Sequence, residues 1–162
     1  MTGSAAPTAA LTFDVPLGPV TVRERGGAIC AIDFAAGFEQ RPTPLLHAAA
    51  AELAEYFAGD RTAFDLPLVA PASLFQRRMR DAMMAVPYGE TRSYGELAAL
   101  LGSNPRAVGQ ACGGNPIPIV VPCHRVLAAG GRIGGYSAGE GLATKRWLLG
   151  HESRAALFTL QR

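Results

Sequence analysis

The stretch Pro116–Val126, read P-I-P-I-V-V-P-C-H-R-V, is the strongest local constraint in the chain. Its β-branched run, Ile117–Val121, predicts a short strand that stops at a proline. Pro122 fixes its own φ and biases Val121 toward extended geometry, so the strand is expected to end in a held, non-helical presentation of Cys123. His124 and Arg125 then set a base and a permanent cation beside the thiol. Such neighbours lower a cysteine pKa and raise its thiolate fraction. Read by itself, the Cys-His pair points to a buried, inert thiol at a strand end. Only the flanks argue for reactivity.

The 162 residues suffice for one domain or two small ones with a real core. No uninterrupted apolar run reaches a membrane span. Met1–Ala10 is rich in Ala, Thr and Pro without a basic start, and is expected to be a loose tail, not a signal peptide. The expected compartment is the cytoplasm. Cys30, Cys112 and Cys123 are an odd count without Cys-x-x-Cys spacing, which argues against a disulfide framework and a cysteine-based zinc site. The net charge of +2 hides a division: residues 1–71 hold four Arg against eight Asp/Glu, and residues 72–162 hold eleven Lys/Arg against five. An acidic half beside a basic half is the pattern of a nucleic-acid-binding domain joined to one that does not bind it. A chance surface imbalance would look the same on charge alone.

Leu11–Val15, Val20–Arg25 and Ala28–Phe34 read as three strands of an antiparallel meander, turned at Pro16–Pro19 and at Gly26-Gly27. Thr43-Pro44 reads as the cap and first residue of a helix stopped by Gly59, on which His47 is structural or solvent-facing. Thr62–Pro71 is the candidate linker, with room for a short strand. Ser73–Val86 is a second helix whose R-R-M-R run is a solvated face or a phosphate contact. Ser93 and Glu96 form a capping box, Leu97, Leu100 and Leu101 face inward, and Gly102 ends that helix. Asn104-Pro105 starts another over Arg106–Cys112, giving a helix-turn-helix pattern that also occurs as plain helical packing. Gly134–Gly141 is a Gly-rich loop, Leu142–Leu149 a helix with Glu152 just past it, and Ala155–Leu160 a closing strand.

G-G-N-P-I-P-I-V-V-P-C-H-R-V closely resembles the active-site signature of the O6-alkylguanine-DNA alkyltransferases. The likeness continues through G-G-Y-S and K-R-W-L-L-G-H-E, and back through S-Y-G-E-L-A and N-P-R-A-V-G, so that it covers roughly Ser73 to Glu152. The resemblance implies that Cys123 accepts an alkyl group from O6-alkylguanine, with O4-alkylthymine as a further candidate, and is consumed in doing so. It implies that His124, oriented by Glu152, activates the thiol through a water, and that Asn115 buttresses the turn before it. Tyr94 would assist the leaving purine at N3. Val126, Tyr136 and Ser137, with Tyr94, would line the pocket. Arg106 would enter the duplex behind the extruded base, with Ala107, Gly109 and Ala111 against the minor groove and Ser93 and Arg125 as further DNA contacts. On the residues alone, Tyr94 reads as a core aromatic, Glu152 as a helix-end carboxylate and Arg106 as a solvated cation.

The fold expected is α/β in two parts. Residues 1–72 form a small ribonuclease-H-like antiparallel sheet with a helix, and residues 73–162 a mostly helical, winged-helix-like domain carrying DNA binding and catalysis. The expected partner is double-stranded DNA containing O6-alkylguanine, met by a monomer with cooperative binding left open; no membrane, cofactor or metal is expected. Two rivals stand beside this reading: a non-catalytic binder of alkylated DNA, whose relatives replace the cysteine, and a helix-turn-helix regulator with an incidental thiol.

Overall fold

The structure, a computed structural model, describes residues 8–160, with side chains described as far as Arg154. The chain divides into two compact units between Val69 and Ala70. Residues 1–7 of the expected tail lie outside the described residues, whereas Ala9 and Ala10 already belong to the first strand.

In the first unit, β1 (Ala9–Val15), β2 (Gly18–Arg25) and β3 (Ala28–Asp33) form an antiparallel sheet in the order β1-β2-β3. Gly26 and Gly27 both take positive φ, 61° and 80°, as the two-residue turn between twisted strands requires. Helix α1 (Pro44–Phe57) starts where expected, with the Thr43 hydroxyl accepting from the Leu46 amide and proline in the first turn. Leu46, Ala49, Leu53 and Tyr56 put one face of α1 into the core with Val20, Val22 and Ile29. The stretch read as a linker adds one parallel bridge, Leu68 to Ile29.

The second unit is mostly helical. Helix α2 (Leu74–Met84) opens on a capping box between Ser73 and Gln76. A two-residue strand, β4 (Arg92–Ser93), leads into α3 (Tyr94–Leu101), where Ser93 and Glu96 cap reciprocally as expected and Gly102 closes the helix at φ 63°. Leu97, Ala98 and Leu101 form its buried face. Leu100, expected inward, is 67% exposed, because one step of about 100° carries it past the edge of a face this narrow. Helix α4 (Pro105–Gly113) is capped by Asn104 and buries Val108 and Cys112. Strand β5 (Val126–Leu127) pairs in parallel with β4, Arg92 opposite Val126. Helix α5 runs unbroken over Leu142–Leu160, so Glu152 lies within it and the strand expected over Ala155–Leu160 is helix instead. Among the described residues, no helix is long and apolar enough to cross a membrane.

The expected strand over Ile117–Val121 is absent. All five residues are buried, but no neighbouring strand reaches them, so the backbone closes on itself. The Val120 amide donates to the Pro118 carbonyl at 2.9 Å around Ile119, whose φ is 73°. The Cys123 amide donates to the Val121 carbonyl at 2.8 Å around Pro122, at φ −82° and ψ 64°. These are two three-residue γ-turns, the first of the rarer, strained sense. Cys123–Arg125 then forms a 3-10 turn. A positive φ at a β-branched residue is a genuine outlier, held here by the packing around Ile119. At this position Ile119→Gly should therefore be about 1 kcal/mol more stable than Ile119→Ala, although glycine normally costs more. Chemical denaturation of the two variants decides it, and Ala equal to or better than Gly would mean that the γ-turn stores no strain.

Candidate functional site

Asn115 fixes the approach to the thiol. Its side-chain amide donates to the Val121 carbonyl at 2.8 Å and to Cys123 Sγ at 3.1 Å, while its Oδ1 accepts from the Ile117 amide at 3.1 Å. One side chain therefore ties the end of α4, the γ-turns and the sulfur together. Cys123 is 5% exposed. Burial pushes its thiol pKa up; the Asn115 hydrogen bond, the Lys145 ammonium and the Tyr136 hydroxyl pull in the opposite direction. The Tyr136 hydroxyl is buried and near the sulfur, but among the described residues it meets no group in hydrogen-bond geometry.

Behind the thiol lies a buried charge network. His124 Nε2 is 2.7 Å from Glu152 Oε2, and the Arg125 guanidinium holds both oxygens of the same carboxylate, at 2.8 Å from Nε and 3.1 Å from Nη2. Arg125 Nη1 also donates to the Val86 carbonyl at 2.9 Å. Burial alone would raise the Glu152 pKa, but the His124 and Arg125 contacts overcome it and hold the carboxyl at about 2. Burial pushes His124 down despite its bond to Glu152. A neutral His124 gives Glu152 a hydrogen bond, not a charge, so Arg125 is the cation that keeps the carboxylate ionised. With Nε2–H donating to Glu152, the lone pair falls on Nδ1, a buried nitrogen with no hydrogen-bond partner among the described residues.

The thiol opens on a cavity of about 390 Å³ lined by Tyr94, Gly109, Cys112, Gly113, Tyr136 and Ser137 among others. Tyr94, the first residue of α3, forms part of its wall, and burial raises its pKa. A Cβ on Gly134, at φ 71°, would come within 2.9 Å of the Tyr94 hydroxyl, so the loop reaches Tyr94 only as glycine. Ser137 Oγ donates to the Gly113 carbonyl at 2.7 Å and pins the loop to the end of α4.

Of the residues singled out in the sequence, Cys123, Tyr94, Tyr136 and Ser137 line one cavity, Asn115 bonds the thiol, and His124 and Glu152 pair with each other beside it in the 3-10 turn and α5. Val126, expected to line the pocket, is fully buried and outside the cavity lining, and its carbonyl accepts from Lys145 Nζ. Arg106 is exposed in the first turn of α4, Ala107 is half-buried beside it, Gly109 lines the cavity, and Ser93 serves as the cap of α3. Arg125 is placed otherwise than expected: it is buried, and its guanidinium is committed to Glu152 and Val86, not to solvent or to the thiol. Sequence reasoning missed Lys145, which is 0% exposed and donates from Nζ to Val126 at 2.8 Å and Gly135 at 3.1 Å. The available signal was helical spacing: Lys145, Leu148 and Glu152 fall on one face of α5. Among the described residues no cluster of three His, Cys, Asp or Glu could hold a metal ion.

A site of this kind, a buried thiol backed by an oriented histidine, belongs to proteins that use cysteine as a nucleophile. Two family models divide the chain between them. The 6-O-methylguanine DNA methyltransferase ribonuclease-like domain matches residues 10–70, and the DNA-binding domain of the same family matches residues 74–154. The chain is 42% identical over 153 residues to the methylated-DNA–protein-cysteine methyltransferase of Mycolicibacterium paratuberculosis, covering 88% of this chain and 91% of that one. It is 38% identical to the constitutive enzyme of that name from Bacillus subtilis, covering 87% and 93%. Among solved structures, O6-methylguanine methyltransferase of Mycobacterium tuberculosis superposes with a TM-score of 0.80 at 39% identity, covering 92% of this chain and 94% of that one. The M. tuberculosis protein in complex with DNA gives 0.79 at 41% identity, covering 89% and 92%. The chain belongs to the 6-O-methylguanine DNA methyltransferase family.

The buried network has a sign that can be measured. His124, with its folded pKa below the unfolded value of 6.5, takes up its proton more readily when unfolded, so stability falls as pH drops through that value. Glu152 stabilises the fold above the unfolded value of 4.5, and that contribution is lost as pH falls toward about 2. Thermal melts should show both stages. Glu152→Gln should melt lower at neutral pH and lose the steeper fall between 4.5 and 2; a curve parallel to the wild type's there would show that Glu152 is not ionised in the fold.

Proposed function

We propose that this chain repairs O6-alkylguanine in double-stranded DNA by transferring the alkyl group to Cys123, once per molecule, with O4-alkylthymine as a further substrate. The observation that carries the reading is the Cys123 thiol, bonded by Asn115, backed by the His124–Glu152–Arg125 network and opening on a cavity walled by Tyr94. Sulfur is soft and suits displacement at an alkyl carbon. The thiol proton passes to His124 Nδ1 through a water, and Glu152 stabilises the imidazolium that forms. The sulfur–carbon bond forms as the carbon–O6 bond breaks. Its electron pair moves into the purine, and the Tyr94 hydroxyl supplies the proton taken up at N3. The proton lost by the thiol balances the one gained by the base, so no cofactor is needed.

A base inside a duplex has to leave the stack before sulfur can reach it. Arg106, exposed at the start of α4, would fill the gap left behind, with Ala107, Gly109 and Ser93 along the approach. The balance of +6 over residues 72–162, eleven Lys/Arg against five Asp/Glu, supports DNA as the partner of the second unit. Residues 73–162 then form the DNA-binding alkyltransferase domain and residues 1–72 a ribonuclease-H-like companion, in a monomer that works in the cytoplasm.

A thioether is not a leaving group under cellular conditions, and Cys112 is not poised to reopen it, since burial and the neighbouring Cys123 push its thiol up to about 12. Intact-mass analysis after incubation with excess O6-methylguanine duplex should therefore stop at one methyl per chain, on Cys123. Cys123→Ser should gain none and keep its affinity for DNA; a methylated Ser variant, or turnover beyond one equivalent, would overturn the reading. Arg106→Ala should slow repair of duplex far more than reaction with a free O6-alkylguanine base, since only the duplex carries the unstacking cost of a few kcal/mol, on the order of 100-fold in rate. Equal losses on both would place Arg106 elsewhere in the mechanism.

A further inference from the structure

Around α4 the side chains change character with each turn of the helix. Val108 and Cys112 are buried and define its inner face. Gly109, Cys112 and Gly113, three and four positions apart, line the cavity in front of the thiol. At about 100° per residue, Gln110 falls about 180° from the middle of the buried pair and about 60° beyond Gly113. It therefore stands at the centre of the outward face, next to the rim of the cavity. Gln110 is exposed, and its carboxamide meets no partner among the described residues. Arg106 lies one turn before it, while Ala107, Gly113 and Gly114 beside it carry a methyl group or nothing. The protein's own packing does not require so bare a face. Gly109 and Gly113 take no positive φ, a Cβ at Gly113 would meet nothing within 4 Å, and one at Gly109 would meet only Tyr94 Cε2 at 4.0 Å. Glycine inside a helix is less stable than alanine, so two such glycines point to something that comes close from outside.

We propose that Gln110 is a specificity-determining residue for the alkyl transfer: its carboxamide reads the minor-groove edge of the base pair next to the lesion and favours G·C there. The inference rests on the proposed extrusion of the alkylated base from duplex DNA. With that base in the cavity, the stack it has left lies outside the rim, where Arg106 and Gln110 stand. The minor groove is about 6 Å wide, and a helix with ordinary side chains is about 10–12 Å across. A face of Ala and Gly with one long amide comes closer to the groove floor than such a helix can. The chemistry of that floor decides the preference. Every pair offers a purine N3 or pyrimidine O2 acceptor, and only G·C adds the guanine N2 amino donor. The glutamine carboxamide has two N–H donors and a carbonyl acceptor, whereas the Arg106 guanidinium has donors alone. On guanine, Gln110 donates to N3 and accepts from the N2 amino group at once. On an A·T pair its carbonyl finds no donor.

Duplexes with O6-methylguanine next to G·C, inosine·C, A·T or 2,6-diaminopurine·T isolate the minor-groove amino group, which inosine lacks and diaminopurine supplies. Affinity is read in the Cys123→Ser protein and repair rate in the unaltered one, with the neighbouring pair varied on each side of the lesion in turn. Dividing each value by that of Gln110→Ala on the same duplex cancels the differing cost of opening it. On one side, G·C and diaminopurine·T should then be favoured about tenfold over inosine·C and A·T. Gln110→Ala should stay folded, since alanine is the better helix former, and react like the wild type with free O6-alkylguanine base. A ratio that follows the amino group on neither side overturns the proposal. Affinity that follows it without any methyl transfer would sink the alkyl-transfer reading and leave Gln110 standing as a reader of DNA.

Discussion

Everything near the thiol depends on one buried carboxylate. Glu152 is 1% exposed and accepts from His124 and from two nitrogens of Arg125. An ionised carboxylate without partners could not stay there; with a bidentate guanidinium and an imidazole it can. Breaking such a pair by removing one member typically costs about 3–5 kcal/mol, since the survivor is left buried and uncompensated. The network also joins parts of the second unit that are distant in sequence. Glu152 comes from α5, His124 and Arg125 from the 3-10 turn, and the Val86 carbonyl from the segment after α2. The orientation of His124, and with it the lone pair on Nδ1, follows from a structural ion pair. On the proposed mechanism, catalytic geometry and folding stability rest on the same interaction.

The local signals in the sequence were reliable where local chemistry decides the outcome. The Thr43, Ser73, Ser93 and Asn104 caps, the Gly26-Gly27 turn and the Gly102 stop all stand where side-chain and φ requirements put them. They failed where tertiary partners decide. Ile117–Val121 has strand composition, but a strand needs a neighbour to take its amides. Asn115 and the chain itself take them instead, and two γ-turns result. Leu142–Leu149 was cut short at Gly150, a sensible helix stop in isolation. The helix continues because Glu152 has to reach His124 and Arg125 on the face that carries Leu148. Arg125 departs from its expected role, and Lys145 goes unread, for a similar reason. The sequence sets Arg125 beside the thiol, whereas successive residues of a 3-10 turn point in different directions, and Lys145, far along the chain, folds back to the Val126 and Gly135 carbonyls. The family resemblance supplied the remaining site residues, Tyr94 and Glu152 above all, which no spacing argument could have joined to Cys123.

The electrostatics around the sulfur pull against one another, and the balance has a chemical meaning. Burial pushes the Cys123 thiol pKa up, while Asn115, Lys145 and Tyr136 all favour its ionised form. A permanent thiolate in an open cavity would react with any passing electrophile, and in a protein that acts once every such reaction would be a complete loss. A buried thiol that ionises easily only when its proton has somewhere to go avoids that loss. In the proposed mechanism the acceptor is His124 Nδ1, whose basicity is favoured by Glu152 and opposed by burial. Proton transfer is then worthwhile only when a substrate occupies the cavity against Tyr94 and the sulfur has a carbon to attack. The fixed dipoles and charges are already in place at that moment, so little reorganisation is needed. On the proposed mechanism, lesion chemistry and thiol protection would draw on one arrangement: a nucleophile whose reactive form is favoured by Asn115, Lys145 and Tyr136 and opposed by burial.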